Sequence, residues 1–288
     1  MTDSPQATDS AVPTAVRSSW DGLIIDDPHF SRASDPFLAA WKRGIALAGP
    51  YLFDHGPRAE RKLIQAKRDL RPNVALIQRA IGPMSPAEQF LLASLVSVHN
   101  AEDGGRLLKA TGFHGFADLG RLDLSRRTVL AGLVLHLTVQ CDFQTTVPTD
   151  TATVDSPPPV TPVDRSPWDS LAREERHFAK APEVFLSVWK RGVALAGSHL
   201  FGPGPEADPE LAQTKWDLCP KVQLIGRAMR SMRPLEQLFL AGLVSFYNAE
   251  DGGRLLKRAK FRGLIDLAPL DLPRRAVIAG LILNYTGW

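Results

Sequence analysis

Residues 100–109 read NAEDGGRLLK, and residues 248–257 read the same ten letters 148 positions further along the chain. Sliding the sequence by 148 extends this match without a gap from residue 20 almost to the C-terminus, with about half of the aligned positions identical. Such a repeat predicts that one structural unit occurs twice. The length of 288 residues agrees with that prediction, since it is typical of about two domains.

The repeat divides the chain into four segments. Residues 1–19 are rich in Ser, Thr, Ala and Pro, which predicts a disordered tail. The first repeat covers residues 20–139, the second covers 167–288, and the acidic Pro/Thr-rich stretch at 140–166 is interpreted as a flexible linker. Each repeat is long enough to bury a core of its own. We therefore expect two separate units, with a pseudo-twofold pairing of the repeats as the alternative.

Helical spacing and helix-capping signals run through both repeats. Asp35 followed by Pro36 is typical of an N-cap with proline in the first turn, and Gly49 is typical of a helix end. Between them the apolar residues recur every three or four positions. No run alternates apolar and polar residues as a half-buried strand does. The predicted fold class is all-α, with five to six helices in each repeat.

Further helices of the first repeat are expected on local signals. A charged helix should cover about 58–70, and a shorter one should start at Pro72. The letters SPAE at 85–88 predict a capping box in front of the apolar run FLLASLVSV, which is typical of a buried central helix. Ser125 is the expected cap of the last helix, and Pro273 is expected at the first helical position of its counterpart.

The decapeptide is the main candidate site. Five of its ten residues are polar or charged and none differs between the repeats, whereas exposed positions elsewhere have changed. One interpretation is structural: Asn100 or Asp103 caps a helix that begins near Gly104, and the two glycines allow a tight turn packed against the central helix. The other interpretation is contact with a protein partner. The candidate partner-binding residues are Asn100, Glu102, Asp103 and Arg106, together with Asn248, Glu250, Asp251 and Arg254.

Other kinds of site have weaker support. Two carboxylates directly before the glycines oppose a phosphate-binding role for them. His29 and His177 form the one histidine pair shared by the repeats, and no ligand set surrounds them in the sequence. Ser97 and its counterpart lie in apolar helices without a histidine at helical spacing in both repeats, so Ser97 is expected only to bond to Asn100. We predict no catalytic residue, no metal site and no cofactor.

The charge pattern leaves nucleic acid as an alternative partner. The net charge is +3, and the second repeat contains a basic run. The candidate nucleic-acid-binding residues are Lys257, Arg258, Lys260 and Arg262.

Neither a signal-peptide pattern at the N-terminus nor an apolar stretch long enough to span a bilayer is found in the sequence. We therefore expect a cytoplasmic protein without a membrane partner. The expected function is non-enzymatic protein binding, as an inhibitor, adaptor or regulatory protein that presents two related helical modules. The alternatives are nucleic-acid binding through the basic surface of the second repeat and an enzyme with an unrecognised site.

Overall fold

The computed structural model describes residues 35–53, 70–137, 167–204 and 207–287, and this part of the chain is helical. It contains no strand, and its only β pairing consists of two isolated bridges. The all-α prediction is therefore confirmed. The tail at 1–19 and the linker at 140–166 lie outside the described residues. So does the charged helix expected at about 58–70, except for its last position.

Each half of the described chain contributes five α-helices. Adding 148 to the bounds of α2 to α5 gives the bounds of α7 to α10, so the elements recur at the offset of the decapeptides. The first half, residues 35–137, has α1 (Pro36–Ala48), α2 (Val74–Ala80), α3 (Pro86–His99), α4 (Ala101–Ala110) and α5 (Leu124–His136). The second half, residues 167–287, has α6 (Pro167–Ala196), α7 (Val222–Ala228), α8 (Pro234–Tyr247), α9 (Ala249–Arg258) and α10 (Leu272–Asn284).

Local capping chemistry sets several helix ends as predicted. The Asp35 side chain accepts a hydrogen bond of 2.9 Å from the Leu38 N–H at the start of α1. At the start of α3, Ser85 and Glu88 bond to each other's backbone N–H groups, which is the predicted capping box. In both cases the signal lies within four residues, so that no distant contact is needed to place the helix.

The start of the last helix differs from the prediction. Asp123, not Ser125, is the N-cap of α5, and it accepts a 2.9 Å hydrogen bond from the Arg126 N–H. α10 begins equivalently after Asp271, which places Pro273 at the second helical position instead of the first. Aspartate is as good a cap as serine, and here it lies two residues earlier in both halves.

α6 extends much further toward the N-terminus than α1 does. It has 30 residues and contains Pro182, whereas α1 has 13 and begins at its capped proline. The positions that correspond to Asp35 and Pro36 are Glu183 and Val184, which do not end a helix. The added turns pack against α10, and Glu174 in them accepts a 3.1 Å hydrogen bond from the Leu124 N–H at the start of α5.

The two halves share one hydrophobic core, so the expectation of two separate units is wrong. α3 buries nine consecutive residues from Phe90 to Val98, and α8 buries nine from Leu238 to Phe246. A helix that is apolar on every side needs neighbours on every side. Elements of the opposite half supply some of them: the 3-10 segment Leu264–Leu267 packs on α3, and the 3-10 segment Phe116–Arg121 packs on α8. The halves also meet where α5 packs along α10.

Candidate functional site

The two decapeptides form helices α4 and α9. The side chain of Asn100 caps α4 by accepting hydrogen bonds from the N–H groups of Glu102 at 2.8 Å and Asp103 at 3.2 Å. Asn248 caps α9 in the same way. The helix therefore begins at Ala101 and not near the glycines, so the interpretation of the glycines as a tight turn is wrong.

The first glycine of each pair lets the decapeptide helix approach the preceding helix of its own half. A Cβ atom on Gly104 would lie 2.0 Å from the Ser97 Cα, and one on Gly252 would lie 2.1 Å from the Ser245 Cα. Only a residue without a side chain fits at such distances. The expected packing of the glycines against the central helix is thus confirmed for the first glycine of each pair, although it occurs inside a helix and not in a turn.

The second glycine of each pair contacts the opposite half. A Cβ atom on Gly105 would lie 2.1 Å from the carbonyl oxygen of Arg262, and one on Gly253 would lie 2.2 Å from that of His114. Arg262 and His114 are themselves equivalent positions, 148 residues apart. Each decapeptide helix therefore packs on the loop that follows the other decapeptide helix.

Two buried serines join the halves by hydrogen bonds. The Ser97 Oγ accepts a 3.1 Å bond from the Leu264 N–H, and the Ser245 Oγ accepts a 3.1 Å bond from the Phe116 N–H. Each hydroxyl also donates to a carbonyl of its own helix, Ser97 to Ser94 at 2.8 Å. The expected bond between Ser97 and Asn100 is not formed, since the Asn100 side chain caps α4.

Two arginines, Arg127 and Arg275, add further hydrogen bonds between the halves. Arg127 is only 5% exposed, and its guanidinium donates to the Leu122 carbonyl at 2.7 Å, to the Gly120 carbonyl and, across the halves, to the Tyr285 carbonyl. Burial lowers the pKa of Arg127, and the neighbouring Glu174 opposes this change. The equivalent Arg275 donates to carbonyls of the first half at residues 135 and 137.

Between α4 and α9 lies an open groove of about 710 Å³, which we name the α4/α9 groove. Its floor is largely apolar and includes Phe113 and Phe261, whose ring centroids are 6.4 Å apart. Its lining comprises Ala101, Glu102, Gly105, Arg106, Leu108, Lys109, Phe113, His114, Ala249, Glu250, Gly253, Arg254, Leu256, Lys257, Lys260, Phe261 and Arg262.

The groove has two equivalent rims, each built from the C-terminal end of a decapeptide helix and the loop after it. The first rim consists of residues 109–112 and 114 and the second rim of residues 257–260 and 262, whereas Phe113 and Phe261 belong to the floor. The lining as a whole holds six Lys or Arg side chains against two Glu. The second rim contributes three of these cations, Lys257, Lys260 and Arg262, whereas the first contributes Lys109 alone, with His114 in place of an arginine.

Lys260 lies in a backbone conformation that favours glycine. Its φ is +60°, and its counterpart in the first rim is Gly112 with φ +79°. Both residues follow a helix in the same motif, in which the Lys260 N–H donates to the Lys257 carbonyl and the Phe261 N–H to the Leu256 carbonyl. A side chain in this left-handed region costs about 1 kcal/mol, which a glycine does not incur.

The structure divides the eight predicted partner-binding residues into two groups. Glu102 and Arg106 line the groove, as do Glu250 and Arg254. The other four position these side chains: the asparagines cap the helices, and the aspartates pair with the arginines, Asp103 at 2.5 Å from Arg106 and Asp251 with Arg254. Of the basic run, Arg258 points elsewhere and donates to the Gly226 carbonyl at 2.7 Å.

The loop residues that complete the groove were not predicted from the sequence. Phe113 and Phe261 form its floor, while Gly115 and Gly263 allow the loops to reach the opposite serines. These residues recur at the 148-residue offset just beyond the decapeptides. That recurrence, in a segment without helical periodicity, was the signal that could have found them.

Other groups and cavities in the described part of the chain give weaker support for a functional site than the α4/α9 groove does. No group of three His, Cys, Asp or Glu side chains in that part of the chain could hold a metal ion. His177 bonds through its Nε2 to the Leu283 carbonyl at 3.2 Å, and its burial lowers its pKa, while its partner in the sequence, His29, lies outside the described residues. A second cavity, of about 280 Å³, lies beside Trp216 and Lys215, where burial lowers the Lys215 pKa to about 8. That cavity contains no decapeptide residue.

No family model, no curated protein and no solved structure matches this chain. None of the described helices is both long and apolar enough to cross a bilayer. The groove is therefore the basis of the proposed function.

Proposed function

We propose that the chain consists of two copies of one helical module, joined by the Pro/Thr-rich segment 140–166, that pack as a pseudo-twofold pair and bind another protein. Its role would be that of a non-enzymatic inhibitor, adaptor or regulatory protein in the cytoplasm. The α4/α9 groove is the proposed binding site. The single observation that carries the proposal is the meeting of two identical decapeptides in one groove with an apolar floor and charged rims.

The exposed residues of the decapeptide support a role in binding. Packing explains why the glycines and the asparagine caps are the same in both halves, since each has a specific contact. It does not explain Glu102 and Arg106, whose side chains are 79% and 64% exposed. Directly after the decapeptide, exposed Ala110 corresponds to Arg258, so exposure alone does not preserve a residue between the halves. A shared ligand-binding role accounts for the identity.

The shared groove changes the number of partner molecules that the chain is expected to bind. Two separate modules on a tether would bind two copies of a partner and gain avidity. Because both decapeptides line one groove, the proposal is instead one binding event for each chain. A partner segment would contact both halves at once.

Nucleic-acid binding is the second candidate. Three of the four predicted basic residues, Lys257, Lys260 and Arg262, lie on the groove beside the phenylalanine floor. Cations next to aromatic rings are typical of single-strand binding sites. Against this candidate stand Glu102 and Glu250 on the same lining, because a nucleic-acid strand carries a phosphate charge at every nucleotide and cannot turn an uncharged face toward them. The third candidate, an enzyme with an unrecognised site, has no observation in its favour.

Photo-crosslinking tests the proposed function. Benzoylphenylalanine would replace Lys109 or Lys257, one on each rim, and the exposed Lys180 on α6 would serve as the control position. In cells of the native host, both rim positions should give the same protein adduct, and position 180 should not. Adducts that disappear with nuclease would favour the nucleic-acid candidate. A rim pattern no different from that at position 180 would contradict any binding role for the groove.

A further inference from the structure

Resting on the proposed function, we propose that the partner segment is an amphipathic α-helix with acidic residues, bound along the α4/α9 groove with its carboxylates gathered at the second rim. The apolar face of this helix would lie on the phenylalanine floor, and one helix would bind to each chain.

The shape and lining of the groove fit a helix. Its volume of about 710 Å³ is open along two flanking helices, and the floor offers the two phenylalanine rings, beside which Leu108 and Leu256 are buried. Phe113 and Phe261 are half-buried, so that each keeps an accessible face. A groove of this kind typically receives apolar side chains spaced i, i+3, i+4 and i+7 on one face of a helix.

The charge of the lining selects an acidic partner. Six cations surround the floor, and all of them are exposed. Carboxylates pair with the three arginines: Asp103 with Arg106, Asp251 with Arg254, and Asp266 at 3.5 Å from Arg262. The lysines form no ion pair with any described residue, and Glu102 and Glu250 are the carboxylates of the lining itself. The cations left to attract carboxylates are therefore the exposed lysines Lys109, Lys257 and Lys260, two of which belong to the second rim.

The difference between the rims gives the bound helix a direction. In a groove with two equal rims, a helix could bind in either of two opposite orientations. Lys260 and Arg262 stand where the first rim has Gly112 and His114, so the second rim is the more basic one. The carboxylates of the partner are best placed there.

Lys260 is the strongest sign that this asymmetry serves binding. It occupies a left-handed position in which the first rim has glycine, although a lysine there is strained. Its side chain is exposed, so no packing gained within the fold offsets that strain. Strained residues of this kind cluster at functional sites, and a role in attracting an acidic ligand is consistent with the cost.

The test uses the full chain and defined probes. The first probe is a fluorescein-labelled peptide of about four helical turns, with leucines at i, i+3, i+4 and i+7 and glutamates on the other face. The comparison probes are the same composition in scrambled order, the amphipathic pattern with lysine for glutamate, and a single-stranded oligonucleotide of about 15 nucleotides. Fluorescence anisotropy gives the affinities, and titration at high protein concentration gives the stoichiometry.

The variants separate charge from folding. Lys260→Gly removes a cation and relieves the backbone strain, so it should raise the unfolding temperature by about 2 °C while weakening the acidic peptide about threefold. The pair Lys260→Gly with Arg262→His, which copies the first rim, should weaken it about tenfold. Lys109→Gln and Lys257→Gln change the same decapeptide position on the two rims, and the second should cost more affinity. Lys180→Gln is the control that should change neither property.

Binding of the acidic amphipathic peptide at one per chain, with the scrambled and basic peptides at least tenfold weaker, is the expected result. Equal affinity for the scrambled peptide, tighter binding of the oligonucleotide, or an unchanged affinity in Lys260→Gly would overturn the proposal. A partner captured at both rims by photo-crosslinking, together with no binding of the acidic peptide, would refute the acidic helix while leaving the proposed function in place.

Discussion

Ser97 accepts a hydrogen bond from the Leu264 N–H across 167 positions of the sequence, and in the equivalent bond Ser245 of the second half accepts from the Phe116 N–H of the first. Both hydroxyls are fully buried. Each bond holds the loop after one decapeptide against the central helix of the other half. The pair of bonds thus fixes the two rims of the α4/α9 groove relative to each other.

Ser97→Ala should destabilise the protein by about 1–3 kcal/mol, because it leaves the buried Leu264 N–H without an acceptor. Ser245→Ala should cost a similar amount through Phe116. The matched control is Ser94→Ala on the same helix, since the buried Ser94 Oγ makes no hydrogen bond to any described residue. Urea unfolding followed by circular dichroism would measure all three. Equal losses for Ser94 and Ser97 would show that the bond to Leu264 contributes nothing.

Gly105→Ala should destabilise the protein by about 1–3 kcal/mol, because the added methyl group meets the Arg262 carbonyl oxygen at 2.1 Å. Gly226→Ala is the control. It lies inside α7 with no heavy atom within 4 Å of the new Cβ, so alanine should stabilise that helix by about 0.5–1 kcal/mol. The two unfolding temperatures should therefore move in opposite directions. A stabilising Gly105→Ala would contradict the close packing of α4 on the second rim.

Arg127→Met should destabilise the protein by about 3 kcal/mol or more, since it removes the donor to three carbonyls in a buried site. Arg126→Gln is the neighbouring control. Arg126 pairs with Asp123 in a part-buried site but bonds to no described residue of the other half, so its loss should cost about 1 kcal/mol. The free energies of unfolding in guanidinium chloride provide the comparison. Similar values for the two variants would argue against Arg127 as a link between the halves.

Stability should fall as the pH decreases through about 6.5, the pKa of an unperturbed histidine. Burial lowers the pKa of His177, although its hydrogen bond to the Leu283 carbonyl opposes this, and burial together with Arg275 lowers the pKa of His136. Both imidazoles stay neutral in the folded protein at a pH where the unfolded chain takes up protons, which favours unfolding.

The double variant His136→Asn with His177→Gln should reduce this pH dependence. Asparagine occurs naturally at the position equivalent to His136, where Asn284 donates to the Gly280 carbonyl at 2.8 Å. Thermal unfolding at pH 8 and pH 5.5 would give the two differences in midpoint. An equal decrease in the double variant and the parent protein would assign the effect to other groups.

Features set by neighbouring residues could be predicted from the sequence. The Asp35 cap, the capping box at 85–88 and the all-α class each follow from signals within a few positions. Errors of one or two residues arose where two capping residues compete, as at Asp123 and Ser125. Helix α6 is longer than predicted. Its first half has no local signal that matches one in the first repeat, and the helix is stabilised by packing on α10.

The pairing of the halves could not be predicted in the same way. A repeated sequence is compatible with two separate modules and with one merged core, because each residue of the repeat has an equivalent alternative partner 148 positions away, which is identical at about half of the positions. Gly104 and Gly105 show the difficulty: one contacts its own half and the other the opposite half, although the letters are the same. The continuous burial of α3 and α8 was a sign of the merged core, since one module offers too few neighbours to cover such helices.

The α4/α9 groove exists only if the two halves fold as one unit around a shared core. Differential scanning calorimetry of the full chain, alone and with Ser97→Ala or Gly105→Ala, tests this claim most directly. We predict a single transition whose calorimetric and van't Hoff enthalpies agree, and which each variant shifts as a whole. Two transitions, of which a variant in the first half moves only one, would contradict the shared core and with it the groove between the decapeptides.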